Sequence, residues 1–270
     1  MAQQSVFKAT TAPGDAQRFA AEAVMDGFNL VVAAGGDGTV NEVLNGIADA
    51  EGFGRVALGV LPLGTVNVFA RELRIPLRLE SAWAVLRQGR ETKIDLGRVG
   101  FQKDGQPARR YFVQLAGAGL DARAVELVSW KLKTHSGPFA YIVAGFQALA
   151  ETQPRITVFA EGKKLVGQMV LLGNGKYYGG PISIFPGATL SDGRLDACVI
   201  PNVTLGAFAR LAPGLLLRRR LAEKQVLRIS ARSLELTSET KTAFELDGEW
   251  VGHLPASFSM EPGKLRVVVP

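Results

Sequence analysis

The sequence predicts an α/β domain built on a doubly wound parallel sheet, followed by a β-sandwich. Two apolar runs, Leu30 to Ala34 and Val56 to Leu61, read as strands buried on both faces. Each is followed by a glycine-containing turn and then by residues at helical spacing, the alternation of a parallel sheet. Beyond about residue 97 the grammar changes to short strands separated by polar turns, which reads as a sandwich. The boundary is therefore placed there, giving residues 1–97 and 98–270 as the two domains.

Taken in order, Ser5 to Thr10 reads as a short strand. Pro13-Gly14-Asp15 opens a helix with Phe19, Ala20, Ala23 and Val24 on one face, and Gly27 ends it. After the strand at Leu30, Val40, Val43, Leu44 and Ile47 fall at i, i+3, i+4 and i+7, so that helix packs one side on the sheet. A further helix presents Leu79, Ala82, Trp83 and Leu86 and stops at Gly89. Lys93 to Val99 starts the strand-rich part, with a hairpin turn at Asp104-Gly105. Strands are expected at 111–116, 155–160, 165–172, 194–200, 225–229, 232–236, 242–247 and 264–269. Helical segments are expected at Asp121 to Lys133, Phe139 to Glu151 and Thr204 to Ala222.

Composition narrows the partners. The formal charge is +6, the pI is near 9.6, and the residues are 47% hydrophobic and 21% charged, as in a globular chain. No arginine- or lysine-rich run carries interleaved aromatics, so nucleic acid ranks low as a partner. A lone Cys198 excludes an internal disulfide framework, fits a reducing cytoplasm and reads as a buried, inert thiol. Two histidines, His135 and His253, and one cysteine argue against a His/Cys zinc site. No apolar stretch is long enough to span a bilayer, and the N-terminus lacks a signal-peptide pattern, so a membrane would be met from its surface.

The chemistry concentrates in turns. Gly35-Gly36-Asp37-Gly38-Thr39 joins a buried strand to a helix, and three glycines in four residues let backbone N–H groups approach a ligand at a helix N-terminus, which suits a polyphosphate. The alternative is a plain tight connection with Thr39 and Glu42 as a capping box. Asp37, an acid inside an anion-binding turn, suggests a divalent metal or a substrate hydroxyl nearby. The turn after the second strand, Leu61-Pro62-Leu63-Gly64-Thr65-Val66-Asn67, would lie at the same sheet edge and line the same cleft. Thr65 and Asn67 there read either as helix caps or as ligand contacts. Downstream, 173–180, 185–188 and Leu190-Ser191-Asp192-Gly193-Arg194-Leu195-Asp196 are glycine-rich turns that in isolation are ordinary hairpins. Phe244-Glu245-Leu246-Asp247-Gly248-Glu249 ends a strand with two carboxylates across a glycine, a pair able to accept a hydroxyl proton or to hold Mg²⁺ on phosphates.

In order and spacing these motifs, with Asn41-Glu42-Val43 and Asn45-Gly46 after the first turn, resemble the diacylglycerol kinase family of lipid kinases, from Thr10 to Pro270. Gly-Gly-Asp-Gly alone is shared with NAD kinases and, in similar form, with phosphofructokinases. The resemblance implies a nucleotide-binding α/β domain, a sandwich domain and an ATP- and Mg²⁺-dependent lipid kinase. By matching positions, ATP would be held by Gly35, Gly36, Gly38, Thr39, Glu42, Gly64, Thr65 and Asn67. A structural Mg²⁺ would take the Asp192 carboxylate and the carbonyls of Thr189 and Arg194. Glu249 would accept the proton with Asp247 nearby, and Asp37 stays a rival base because sphingosine kinase relatives use the aspartate of the glycine-rich turn.

Two departures stand out. Many members have Asp after the Asn of the second motif, where this chain has Val68. The family's opening strand, its Asn-Pro-x-Ser/Ala-Gly turn and its first helix are not found ahead of Ser5, and that turn would wall one side of the nucleotide cleft.

The apolar and basic residues of Leu205 to Leu217 and Arg218-Arg219-Arg220 read equally as an interfacial helix on anionic lipid or as a core helix with a basic C-terminal end. Lys131, Lys133 and His135 form a second basic group, and His253 reads as a turn residue. The lipid alcohol at a membrane surface is left unnamed among diacylglycerol, sphingoid base and phosphatidylglycerol. Oligomeric state, a homodimer included, stays open. The rival readings are a soluble-substrate kinase of the NAD kinase type and a nucleotide- or lipid-binding relative without turnover.

Overall fold

A computed structural model describes residues 5–131, 145, 147–204, 206 and 226–270. Its first half alternates helix and strand: α1 (Asp15–Met25), β1 (Leu30–Gly35), α2 (Asp37–Asp49), β2 (Ala57–Pro62), α3 (Val68–Glu72) and α4 (Leu79–Gln88). The strand-rich part follows with β3 (Arg90–Lys103), β4 (Gln106–Phe112), β5 (Leu115–Gly119) and α5 (Leu120–Lys131). Next come β6 (Ile156–Ala160), β7 (Lys163–Gly167), β8 (Met169–Gly173), β9 (Tyr177–Tyr178), β10 (Ile182–Ser183) and β11 (Leu195–Ile200). The chain closes with β12 (Leu227–Ala231), β13 (Ser233–Ser238), β14 (Ala243–Leu246), β15 (Glu249–His253) and β16 (Ala256–Val269).

β1 and β2 pair in parallel, Leu30 opposite Ala57 through Gly35 opposite Pro62, so both signature turns leave the same sheet edge. α1 and α2 pack beside them around a core that includes Ala20, Val24, Val43, Leu44, Ile47 and Leu58. One sheet of eight strands runs through both halves, because β16 pairs with β3 along one side and with β13, then β2, along the other. Residue 97 lies inside β3. The second sheet runs in the order β12-β11-β8-β5-β14-β15. The sandwich core between the two sheets contains Phe112, Ile156, Val158, Leu172, Val199, Leu236, Phe244 and Phe258. On its other side the six-stranded sheet packs Leu171 and Cys198 against Leu120, Ile184 and Phe185. Both faces of that sheet are therefore covered, which places charged residues of its strands in a dry setting.

Several sequence expectations need correction. Ser5 to Thr10 forms no strand. The expected strand 111–116 straddles the end of β4 and the start of β5, and 165–172 is two strands, β7 and β8, with a break at Gln168. The final strand begins at Ala256, eight residues before the expected start at 264, because the pattern is broken by Pro262-Gly263 where β16 bulges past β3. The α1 face against the core is Ala16, Ala20 and Val24, with Phe19 stacked under the Arg18 guanidinium. On α4 only Ala82 is fully buried, and Leu79 and Trp83 stay about half exposed. The Asp104-Gly105 turn is found as expected, both residues having positive φ. The Thr204 to Ala222 helix with its arginines, Lys133 and His135 lie outside the described residues, as does most of the 139–151 segment; Lys131 ends α5.

The Phe112 ring fills the space left by Gly97, whose missing Cβ would sit 2.1 Å from the ring, and meets Phe258 edge-on at 6.3 Å. Phe112→Ala should therefore lower unfolding free energy by about 3–5 kcal/mol, measured by chemical denaturation.

Candidate active site

The glycine-rich turn is built by contacts that exclude side chains. Gly36 is the residue before α2, in extended conformation and with no side-chain cap. The second turn lies directly on the first, since a Cβ on Gly64 would come 2.4 Å from the Gly36 Cα. Leu63 N–H also donates to the Gly35 carbonyl at 3.0 Å. A Cβ on Gly35 would lie 2.3 Å from Thr39 Oγ1, so the Thr39 side chain folds back over the turn. The α2 amide ends and its positive dipole end thus remain for a ligand.

The expected capping box does not form. Glu42 instead accepts the Gly14 and Ala16 N–H groups at 2.9 and 3.1 Å, so it caps α1 rather than its own helix. Asn67 does not cap α3 with its side chain either. It adopts φ 53° and folds onto its own loop, accepting from Gly64 N–H at 3.0 Å and donating to the Gly64 carbonyl. The cap of α3 is Asp37, whose two oxygens each accept one amide, Val68 and Phe69, at 3.0 Å. Thr65 is exposed on the same loop, and Val68 is buried.

The second half reaches this turn through a hairpin. β14 and β15 pair Leu246 with Glu249 across the two-residue turn Asp247-Gly248, whose φ values of 49° and 85° are the left-handed pair of a type I′ turn. Asp247 is 7% exposed and its carboxylate accepts four N–H bonds, from Asn41 Nδ2 at 2.8 Å and from the amides of Val113, Gln114 and Leu115 at 2.9–3.0 Å. Burial pushes this carboxyl up from the ordinary range, and the four donors pull against it. Two residues on, Glu249 lies against the first turn: a Cβ on Gly38 would be 2.8 Å from its Oε1. The structure therefore brings Gly35, Gly36, Asp37, Gly38, Thr39, Gly64, Asn67, Asp247 and Glu249 together.

Asp192 behaves differently. It is exposed and closes its own turn, Oδ2 accepting Thr189 N–H and Oγ1–H at 3.1 and 3.2 Å and Oδ1 accepting Arg194 N–H at 2.9 Å. Among the described residues no group of three or more His, Cys, Asp or Glu side chains gathers. One exposed carboxylate among turn oxygens still suits Mg²⁺, which keeps several of its waters. Asp95 ties this turn to the sheet by accepting Gly193 and Gly263 N–H at 2.6 and 2.7 Å. Cys198 is buried in β11, and burial pushes its thiol up to about 11, as an inert thiol should be. His253 ends β15 rather than forming a turn, paired with Glu126 at 3.4 Å.

Sequence reasoning gave no role to several residues that join the halves. Asn41 and Asn45 donate to the Tyr111 carbonyl, and Asn45 accepts its N–H. Glu72 accepts from Gln114 Nε2 and the amides of Lys176 and Tyr177. Two asparagines four apart on an otherwise apolar helix face were the available signal. A second missed group is Glu245 with Asp121 and Tyr178. Glu245 is 1% exposed, and its Oε1 and the Asp121 Oδ2 have no N–H partner; both oxygens close on the site of a missing Gly117 Cβ, at 2.7 and 2.5 Å. The two carboxyls thus face each other over Gly117, and the charge of Asp121 adds to burial in disfavouring the ionised form of Glu245. Burial raises the pKa of both acids, Glu245 well above its ordinary range.

Fold and site are those of a two-domain kinase with a nucleotide-type α/β half. Residues 2–99 match the family described as Diacylglycerol kinase catalytic domain, and residues 114–269 match the YegS C-terminal NAD kinase beta sandwich-like domain. A diacylglycerol kinase of Bacillus subtilis (strain 168) is 35% identical over 269 residues, 97% of this chain and 84% of its own. One from Staphylococcus carnosus (strain TM300) is 31% identical over 265 residues, 97% of this chain and 83% of its own. A crystal structure of a diacylglycerol kinase from Bacillus anthracis superposes with a TM-score of 0.74 at 25% identity, over 97% of this chain and 84% of that one. Yeast NADH kinase in complex with NADH shares the fold alone, with a TM-score of 0.51 at 13% identity over 90% of this chain and 62% of that one. The chain belongs to the diacylglycerol kinase family and is a kinase, which implies use of ATP.

A carboxyl whose folded pKa is raised contributes stability that is complete below its unfolded pKa and is lost as pH climbs toward the folded value. Asn in place of Asp121 can donate to an ionised Glu245. Denaturation of wild type and Asp121→Asn at pH 5 and pH 8 should therefore show the balance shifting toward the variant as pH rises.

Proposed function

We propose that this kinase transfers the γ-phosphoryl group of ATP to the hydroxyl of a lipid alcohol, diacylglycerol being the substrate tested first. The observation that carries the reading is the Glu249 carboxylate lying over Gly38 at the start of α2. The turn amides and helix dipole bind the phosphates. The lipid oxygen attacks the γ-phosphorus, its proton passes to Glu249, and the bond from that phosphorus to the bridging oxygen breaks with ADP leaving. Between the two candidate bases, Glu249 is favoured, because its carboxylate lies over the glycine-rich turn whereas that of Asp37 turns to the start of α3 and caps it. Asp247 orients the hairpin.

A structural Mg²⁺ would be held at Asp192 with carbonyls of Thr189 and Arg194 and would brace that turn of the second half. Among the described residues no helix is long and apolar enough to cross a membrane. The reading places the enzyme at the cytoplasmic face, meeting its lipid from the surface.

Purified protein incubated with γ-labelled ATP, Mg²⁺ and mixed micelles of lipid alcohols should label diacylglycerol, and chelation of Mg²⁺ should abolish the label. Label in NAD instead of lipid would reject the reading. Glu249→Gln should melt as wild type does and lose about 10²-fold or more in kcat. Unchanged turnover would remove Glu249 as the base.

A further inference from the structure

We infer that Glu245 is a positioning residue: it fixes the Asp247-Gly248 turn and thereby the aim of Glu249 at the glycine-rich turn. The inference rests on the proposed role of Glu249. Three contacts define the turn. Asp247 N–H donates to the Leu115 carbonyl at 2.9 Å, the Asp247 carboxylate gathers the amides of 113–115, and Gly248 N–H donates to Glu245 Oε2 at 2.7 Å.

The first two contacts hold Asp247, and the third holds the peptide that leads into Glu249. The register of β14 against β15 shifts between Phe244 and Glu245, a bulge of the kind that re-aims a side chain. Glu245 stands at that shift, on the sheet face away from the sandwich core, where its other oxygen lies beside the Asp121 carboxyl at the start of α5. Gly117 leaves the space in which the two carboxyls meet. The path to Glu249 runs from Glu245 through the Gly248 N–H. A carboxyl with 1% exposure costs stability unless it is hydrogen-bonded, so a residue there for packing alone would be better served by an apolar side chain.

The test uses the full chain and three measurements: steady-state lipid phosphorylation, thermal melting, and exchange of the Gly248 amide read by NMR. Glu245→Ala should lower kcat by about 10–100-fold and leave the KM for ATP within about twofold, since the glycine-rich turn is untouched. The Gly248 amide should exchange faster in this variant. Glu245→Gln keeps an acceptor for Gly248 and gains a donor for Asp121, so it should restore kcat to within about threefold of wild type and restore protection. If Glu245→Ala does not fold, Glu245→Asp decides, because it keeps the carboxyl but withdraws the oxygen from Gly248 and should show the same kcat loss.

Wild-type turnover in Glu245→Ala, a Gln variant as slow as Ala, or an equally protected Gly248 amide in Glu245→Ala would each overturn the inference. A fully active Glu249→Gln would instead remove the catalytic reading, while amide exchange would still report whether Glu245 sets the turn.

Discussion

The carboxylate of Asp247 is the point on which the two halves hang. It lies in a hairpin turn of the sandwich, and of its four hydrogen bonds one reaches across to an α2 side chain of the first half while three take the consecutive amides of 113–115, where β4 gives way to β5. A carboxylate has about four lone-pair sites, and all are used here. Each donor would be a buried, unsatisfied N–H without it. The neighbouring ties share this character: Asn45 on Tyr111, Glu72 on the 176–177 amides and Asn174 on the carbonyls of Asp95 and Val113 all join a side chain to a distant backbone group. Such bonds are directional where apolar packing is not, so they set the angle between halves as well as holding them together.

Two buried acids four residues or less from Glu249 have opposite surroundings. Asp247 is ringed by donors that favour its charge, whereas Glu245 faces a second carboxyl that disfavours charge on both. The first arrangement suits a fixed anchor. In the second, burial and the facing acid both favour the protonated form, and half-buried Glu249 follows across the hairpin turn with its carboxylate against the glycine-rich turn. The three acids thus divide by environment into an anchor, a support and the proposed reacting group.

Most of the fold was legible because it rests on periodicity: the strands at Leu30 and Val56, the stripe from Val40 to Ile47 and the positive-φ turn at Asp104-Gly105 all appear where the residues put them, although β1, at the edge of the sheet, buries only Ala33 where burial on both faces was expected. The failures came where a side chain had a distant alternative. Thr-x-x-Glu from Thr39 to Glu42 is a good local capping signal, but the amides at the start of α1 take the Glu42 carboxylate and Asp37 reaches across to cap α3. Nothing within a few residues of Asp37 reveals that partner. Glu245 was unreadable for another reason: alternation with Phe244 and Leu246 puts it on what would be a solvent face, and only the packing of α5, Leu171 and Phe185 on that side makes the face dry.

The glycines of the signature show how closely binding and catalysis are joined. A glycine-rich turn is ordinarily explained by the approach of phosphate to bare backbone. Here the protein's own atoms already require three of them: Gly35 for the Thr39 hydroxyl, Gly64 for the Gly36 backbone and Gly38 for the Glu249 carboxylate. A side chain at Gly38 would displace the carboxylate of the second half before it met any nucleotide. The turn proposed to cradle phosphate is therefore also the seat of the group proposed to take the proton, and the distance between them is set by packing. On the proposed mechanism that arrangement lowers the reorganisation left to the reaction, because the Glu249 carboxylate and the turn amides are oriented against each other before substrate arrives.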